Sequence, residues 1–305
     1  MVDFRRVLCA VDLSEESVRT LKYAGAVARW YGGRLTALHV VPTFDPMEVR
    51  IGGLFDPVQI VNPVSREAVV DRVRETLGTA HILPGSADVA AESGETTATI
   101  VDQCIARRAD LLVIGTHGRS GFDRLMLGSV AERLLRKAPC PVLTVPPHAP
   151  ASPPGEAAFG KILCAVDFSP ASLLALGFAL DLARRGRALL TVVHAIEWLA
   201  EEEPREIAHF SVPEFRAELV EDARARLQAI LAKEEAVKAG VEIEVVTGRA
   251  HREIAKVAAA QAPGLIVMGG EGRGGATLGA FGSSTLQVVR SAVCPVLTVR
   301  GALLP

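Results

Sequence analysis

The chain has 305 residues and a formal net charge of -2 at pH 7, with 49% hydrophobic and 22% charged residues. That length points to two domains of ordinary size, and the near-neutral charge excludes a general attraction to nucleic acid or an anionic membrane, so any bound anion must be held locally. No apolar run reaches the length of a membrane span. The start, MVDFRRVLCAVDLS, lacks a signal-peptide layout because its apolar run stops at Asp12, which predicts a cytoplasmic protein.

Arg5 to Val11 reads as a short buried strand stopping at Asp12, and Lys161 to Val166 repeats it with Asp167. A helix follows each aspartate. Ser14 or Ser169 suits the N-cap, with Glu15 and Glu16 in one first turn and Pro170 in the other. The first helix runs to about Trp30 and places Val18, Leu21, Ala24 and Ala28 on one face, the spacing for packing on a sheet. Second strands follow at 35–41 and 188–195. The halves then diverge: residues 42–63 are irregular and rich in Gly and Pro before a helix over 66–77, whereas the second half has an acidic run, Glu201 to Glu203, and a long helix over 213–239. Third strands (88–91 and 242–246) and helices (96–107 and 251–260) lead into the most informative stretch.

That stretch, Ala109 to Val145, reads as strand, glycine-rich loop, helix, strand, and recurs from Gly264 to Val299. In the first copy the apolar run Leu111 to Ile114 ends in Gly115, followed by Gly118 and, after nine residues, by Gly128-Ser129. In the second, Leu265 to Met268 lead into Gly269, Gly272 and, after the same interval, Gly282-Ser283. Asp12 and Asp167 lie 155 positions apart and Gly115 and Gly269 lie 154 apart, so a whole domain is duplicated with one net deletion. Residues 1–147 and 159–305 are therefore expected as two domains that fold independently, joined by a Pro/Ala-rich, semi-extended linker over 148–158. Strand–helix alternation with continuous apolar strands predicts a parallel, helix-covered, doubly wound sheet in each.

In such sheets a ligand sits beyond the carboxyl ends of the strands, where the winding reverses. If the first and fourth strands flank that reversal, Asp12 lies beside Gly115, and Asp167 beside Gly269. A carboxylate there accepts hydrogen bonds from ribose hydroxyls or an adenine amino group, while glycines let backbone amides approach phosphates and Gly-Ser at a helix start adds unpaired N–H groups. The aspartates read equally as helix caps competing with Ser14 and Ser169. Arg119 and Arg273, each after the second glycine, reach phosphate oxygens or simply face solvent. His39 and His194 match each other and read as satisfied strand-end histidines. Glu271 stands where the first half has His117; facing inward it would repel phosphate, so the first half is expected to bind more tightly. The five cysteines lack metal or disulfide spacing and read as small buried hydrophobes. No Walker loop, serine elbow or zinc spacing is present.

The G-x2-G-x9-G-[ST] pattern in both halves, the aspartate after strand one, the HV-type end of strand two and the terminal CPVLTV together resemble the universal stress protein family, as a tandem two-domain member. The resemblance implies two tandem Rossmann-like (adenine nucleotide alpha hydrolase-like) α/β domains, each a five-stranded parallel sheet of order 3-2-1-4-5 with helices on both faces. It also implies two ATP sites, with Mg2+ as an accompanying ion. Carried over by position, the first site would use Asp12, Val40, Gly115, Gly118, Gly128 and Ser129, and the second Asp167, Gly269, Gly272, Gly282 and Ser283. Ala195 stands where the first half has Val40; if that side chain packs on adenine, the second site loses roughly 1 kcal/mol of apolar contact. The apolar last strands, 141–145 and 295–299, lie at sheet edges in this order, and the resemblance implies that they pair as an intramolecular pseudo-dimer, with a further homodimer left open. The expected function is a stress-response or signalling module in which ATP orders the Gly115–Gly128 loop. A slow ATPase or nucleotide-dependent transferase, and a dimerisation module without nucleotide, are the alternatives.

Overall fold

The computed structural model of the protein describes residues 2–43, 65–116, 127–151, 159–197, 212–232, 240–272 and 281–301. The first half runs β1 (Arg6–Ala10), α1 (Glu15–Trp30), β2 (Arg34–Pro42), α2 (Arg66–Thr79), β3 (Ala87–Gly94), α3 (Thr96–Ala106), β4 (Leu111–Gly115), α4 (Ser129–Lys137) and β5 (Val142–Val145). The second repeats the order: β6 (Lys161–Ala165), α5 (Pro170–Gly186), β7 (Leu189–Ile196), α6 (Val212–Leu231), β8 (Val241–Thr247), α7 (Ala250–Gln261), β9 (Leu265–Gly269), α8 (Ser283–Ser291) and β10 (Val296–Val299). Every expected strand and helix is present, with ends shifted by a few residues. The exceptions lie outside the described residues: 233–239 at the end of the long helix, most of 42–63, and 152–158 of the linker.

Within each half all strand pairs are parallel, in the order 3-2-1-4-5. The halves meet through their last strands, the edges whose pairing the resemblance implied, and each five-stranded order runs on into the other. They do not form two separate sheets; β5 and β10 pair antiparallel, Leu143 opposite Leu297, giving one ten-stranded mixed sheet. The reason is physical: both strands are wholly buried VLTV segments with a free edge, and each edge satisfies the other. Thr144 Oγ1 donates to the Val296 carbonyl (3.2 Å) and Thr298 Oγ1 to that of Val142 (3.3 Å), a reciprocal pair across the junction.

Helices cover both faces. The β-strand periodicity divides apolar side chains between two buried clusters. One, under α1, α2, α5 and α6, includes Leu21, Val73, Leu176 and Leu227; the other, under α3, α4, α7 and α8, includes Ile100, Leu135, Val257 and Val289. Each cluster takes residues from both halves. Aromatic contacts seal the first across the duplication: Phe4 with Phe178 (6.0 Å between centroids) and Trp30 with Phe159 (5.1 Å). The Val2 amide also donates to the buried Asp181 carboxylate (3.1 Å). The five cysteines are all free and buried, as expected. Burial pushes the Cys294 thiol up to about 12 and raises those of Cys9 and Cys164, while Cys140 is raised first by its hydrogen bond to Cys104 and then by burial. Such thiols stay protonated at neutral pH and serve as core.

Candidate functional site: two clefts at the strand ends

Each half carries a cleft where β1 and β4, or β6 and β9, end side by side. The first encloses about 370 Å³ and the second about 890 Å³, both within the range of small-molecule sites. The structure brings Asp12, Val40, Gly115, Gly128 and Ser129 to the first cleft. It brings Asp167, Ala195, Gly269, Gly272, Gly282 and Ser283 to the second. Gly118, Arg119 and Arg273 lie outside the described residues, as does His117.

The turn after β1 decides how the aspartate is presented. Leu13 adopts φ 61° and Phe168 φ 64°, a left-handed conformation that bulky side chains rarely take, and both halves hold it at the same place. The bend turns the next amide back on the carboxylate. Asp12 Oδ1 accepts from Ser14 N (3.0 Å), Ser14 Oγ (2.6 Å) and Ser17 Oγ (2.8 Å). In the second half Asp167 Oδ1 accepts from Ser169 N (3.0 Å) and Ser169 Oγ (2.5 Å). Sequence reasoning set the aspartate against the serines as rival caps; instead one carboxylate oxygen gathers the turn. Ser14 therefore makes no cap bond, whereas Ser169 still accepts from Ser172 N (3.2 Å). The other oxygen of Asp12, Oδ2, is buried with no hydrogen-bond partner among the described residues. A buried carboxylate oxygen without a donor is costly, and the residue that carries it lines the cleft.

One repeated feature escaped the sequence reading. Ser17 and Ser172, each five positions after its aspartate, accept from the Asp12 and Asp167 amides (3.2 Å in both). The repeated D-x4-S spacing was the available signal. His39 and His194 were read as satisfied, and they are: each Nδ1 lies 2.7 Å from the carbonyl of Val11 or Val166. A carbonyl only accepts, so Nδ1 carries the proton, and the ring ties β2 or β7 to the end of the first strand of its half.

The opposite wall is a helix start. Gly128 and Gly282 take N-cap positions without a side-chain cap, leaving first-turn amides and the positive end of the dipole toward the cleft. Their own amides are engaged, donating to the Thr116 and Gly270 carbonyls (2.8 Å each), which closes the loop at its base. Gly272 lies against the acid: a Cβ there would sit 3.3 Å from Asp167 Oδ2. Gly269 has a different reason from the one its motif implied. A Cβ would come within 2.8 Å of the Ser172 amide nitrogen, so this glycine admits the start of α5 to the strand end. Glu271 does line the second cleft, but its Oε1 is 3.2 Å from Arg300 Nε. The charge expected to oppose phosphate is therefore already compensated, which removes the ground for ranking the first half as the tighter binder.

Over the second, larger cleft stands α6. Leu219, Asp222, Ala223 and Arg226, at successive helical spacings, line it, and the Arg226 guanidinium lies 4.1 Å above the Phe168 ring. Phe168 in turn packs on His194, with ring centroids 4.6 Å apart. The first half has Leu13 in place of Phe168, and no residue of α2 lines its cleft. Among the described residues no group of three or more His, Cys, Asp or Glu is placed to hold a metal ion. No described helix is long and apolar enough to cross a membrane.

Comparison with known proteins agrees with this architecture. Residues 3–146 and 158–300 each match the sequence model of the Universal stress protein family. Universal stress protein Rv2005c of Mycobacterium tuberculosis is 33% identical over 199 residues, 64% of this chain and 63% of that protein, so the match spans less than two thirds of either. A universal stress protein of Mycolicibacterium smegmatis is 27% identical over 297 residues, 96% of each chain. Among solved structures, a universal stress protein from Archaeoglobus fulgidus superposes with a TM-score of 0.67 at 21% identity, covering 98% of both chains, a likeness of fold.

Proposed function

The chain belongs to the universal stress protein family, and from that premise and its cleft geometry we propose that each half binds an adenine nucleotide, ATP by preference. The observation that carries the reading is that Asp12, whose Oδ2 is buried and unpartnered among the described residues, lines a cleft that an uncapped helix start also lines. One end of the cleft offers an acceptor suited to ribose hydroxyls or the adenine amino group. The other offers amides and a positive dipole suited to phosphates.

In this reading Asp12 and Asp167 hold the nucleoside, with Val40 or Ala195 beside the base. Gly115, Gly118, Arg119, Gly128 and Ser129 attend the phosphates in the first half, and Gly269, Gly272, Arg273, Gly282 and Ser283 in the second. Mg2+ enters on the nucleotide, held by its phosphates, since the described residues supply no metal cluster. The protein acts as a binding or signalling module: nucleotide occupancy stabilises one arrangement of the cleft rim, and partners read that arrangement. The two halves, joined through β5 and β10, work as an internal pseudo-dimer.

Acid denaturation of the purified protein followed by mass spectrometry tests the reading directly, with adenine nucleotide expected at up to two per chain. Titration supplies the second check. Free ATP a hundredfold above its dissociation constant stabilises a one-site protein by about 2.7 kcal/mol, so Tm must rise with Mg-ATP. An unmoved Tm together with no released nucleotide overturns the proposal.

A further inference from the structure

Arg300 follows β10, outside the second cleft, and its contacts reach into both halves. Its Nε lies 3.2 Å from Glu271 Oε1, and its Nη1 donates to the carbonyl of Arg136 in the last turn of α4. Its stem is housed: a Cβ at Gly270 would meet Arg300 Cγ and Phe281 Cε2, both at 3.2 Å. Arg136 sends its own guanidinium over the Phe281 ring (5.9 Å), and Phe281, like Glu271, lines the second cleft. The arrangement has no counterpart in the first half. By the repeat offset, the position of Arg300 corresponds to Pro146 and that of Glu271 to His117.

We propose that Arg300 is a positioning residue for the second cleft: it holds the Glu271 carboxylate off the anion seat at the start of α8, anchored for that task on α4 of the first half. This rests on the nucleotide reading above. Glu271 stands between Gly270 and Gly272 on the loop leaving β9, and it lines the same cleft as the uncapped Gly282–Ser283 helix start. Left alone, that carboxylate competes with a phosphate for the same amides and dipole and repels the phosphate charge. Arg300 compensates the charge and fixes its direction. The Glu271 carbonyl is fixed as well, 3.2 Å from Ser169 Oγ on the Asp167 turn, so the loop's backbone stays put while the side chain is steered. Arg300 draws its own orientation from a helix C-terminus, where carbonyls attract a cation. Acceptance of an anion by the second half thus depends on a contact supplied by the first.

The test uses the full chain with the first cleft weakened by Asp12→Asn, so that a two-site fit resolves the second, titrated calorimetrically with ATP and, separately, with adenosine. Adding Arg300→Gln is expected to weaken ATP about tenfold while leaving adenosine unchanged, because only the charged ligand meets the released carboxylate. Adding Glu271→Gln to that protein restores ATP affinity. Urea midpoints confirm that each variant is folded. ATP affinity unchanged by Arg300→Gln overturns the inference, as does a loss shared equally by ATP and adenosine and not rescued by Glu271→Gln, which marks a merely structural role. If the Asp12→Asn parent takes up adenosine and ATP at neither cleft, the nucleotide reading itself fails and carries this inference with it.

Discussion

The two clefts share a frame and differ in what stands over it. Both keep an aspartate at the end of the first strand, a left-handed residue after it, serines two and five positions on, a histidine tying the second strand to the first, and a Gly-Ser helix start. They differ at the mouth, where the second adds Phe168, the Arg226 face of α6 and the Glu271–Arg300 pair. The frame is built from short local hydrogen bonds on rigid strand ends, so each half assembles it from its own sequence. The mouth is assembled from distant segments, and there the halves have diverged. The difference teaches that local sequence keeps the frame alike, while contacts between distant segments give the two mouths different shape and charge.

The largest expected effect separates two glycines that look alike in the motif. Gly269→Ala forces its Cβ to 2.8 Å from backbone of α5 and is expected to cost about 2 kcal/mol in urea unfolding. Gly128→Ala places a Cβ 3.3 Å from the Thr116 carbonyl, in a backbone conformation any residue adopts, and should cost under about 0.5 kcal/mol. Equal costs would erase the distinction between a packing glycine and a cleft glycine.

Next in size is Asp12→Asn. The amide oxygen can keep the serine contacts while the other position becomes a donor, so nucleotide affinity at the first cleft should fall by about 1.5 kcal/mol, or roughly tenfold, with the urea midpoint nearly unchanged. Calorimetry beside Asp167→Asn then shows whether the two frames are equivalent.

Thr144→Val and Thr298→Val probe the junction. Each removes one side-chain hydrogen bond to a buried carbonyl and should cost about 1 kcal/mol. The near-identical geometry predicts near-identical losses, and a strong inequality would break the two-fold likeness of the halves.

The smallest effect is a pH dependence. Arg136, and with it Arg290 from α8, holds the Glu132 carboxyl below its ordinary value of 4.5. A carboxyl lowered in the folded state contributes stability that is complete above the unfolded value and is lost as pH falls through the folded one. Wild type should therefore lose slightly more stability than Glu132→Gln below about pH 4.5, and the two should run parallel above it. Urea midpoints across that range decide the matter.

Much of this was legible in sequence because it is local and repeated. The buried strands, the helix starts at Ser129 and Ser283, and the convergence of Asp12 with Gly115 and of Asp167 with Gly269 all follow from periodicity and the reversal of winding. What escaped depends on partners far along the chain. Nothing near Gly269 announces that Ser172 will press on it, and nothing near Glu271 announces Arg300. The Ser14 hydroxyl illustrates a subtler limit: its residue type fits a cap, but the left-handed Leu13 turns it toward the acid, and a rare backbone conformation at leucine leaves no compositional trace. The pairing of the last strands came from the family resemblance rather than from the residues, because the proline-rich linker by itself reads as a spacer between separate bodies.

The β5–β10 junction has a consequence for how unlike the two halves can become. Two identical chains meeting edge to edge would separate on dilution, and a change in one would appear in both. Here the partner edge is covalently tethered, so the pairing is insensitive to protein concentration and the stoichiometry of the two clefts is fixed at one to one. A substitution in one half leaves the other unchanged, so the two clefts can differ within one chain with no wrongly matched assemblies to discard.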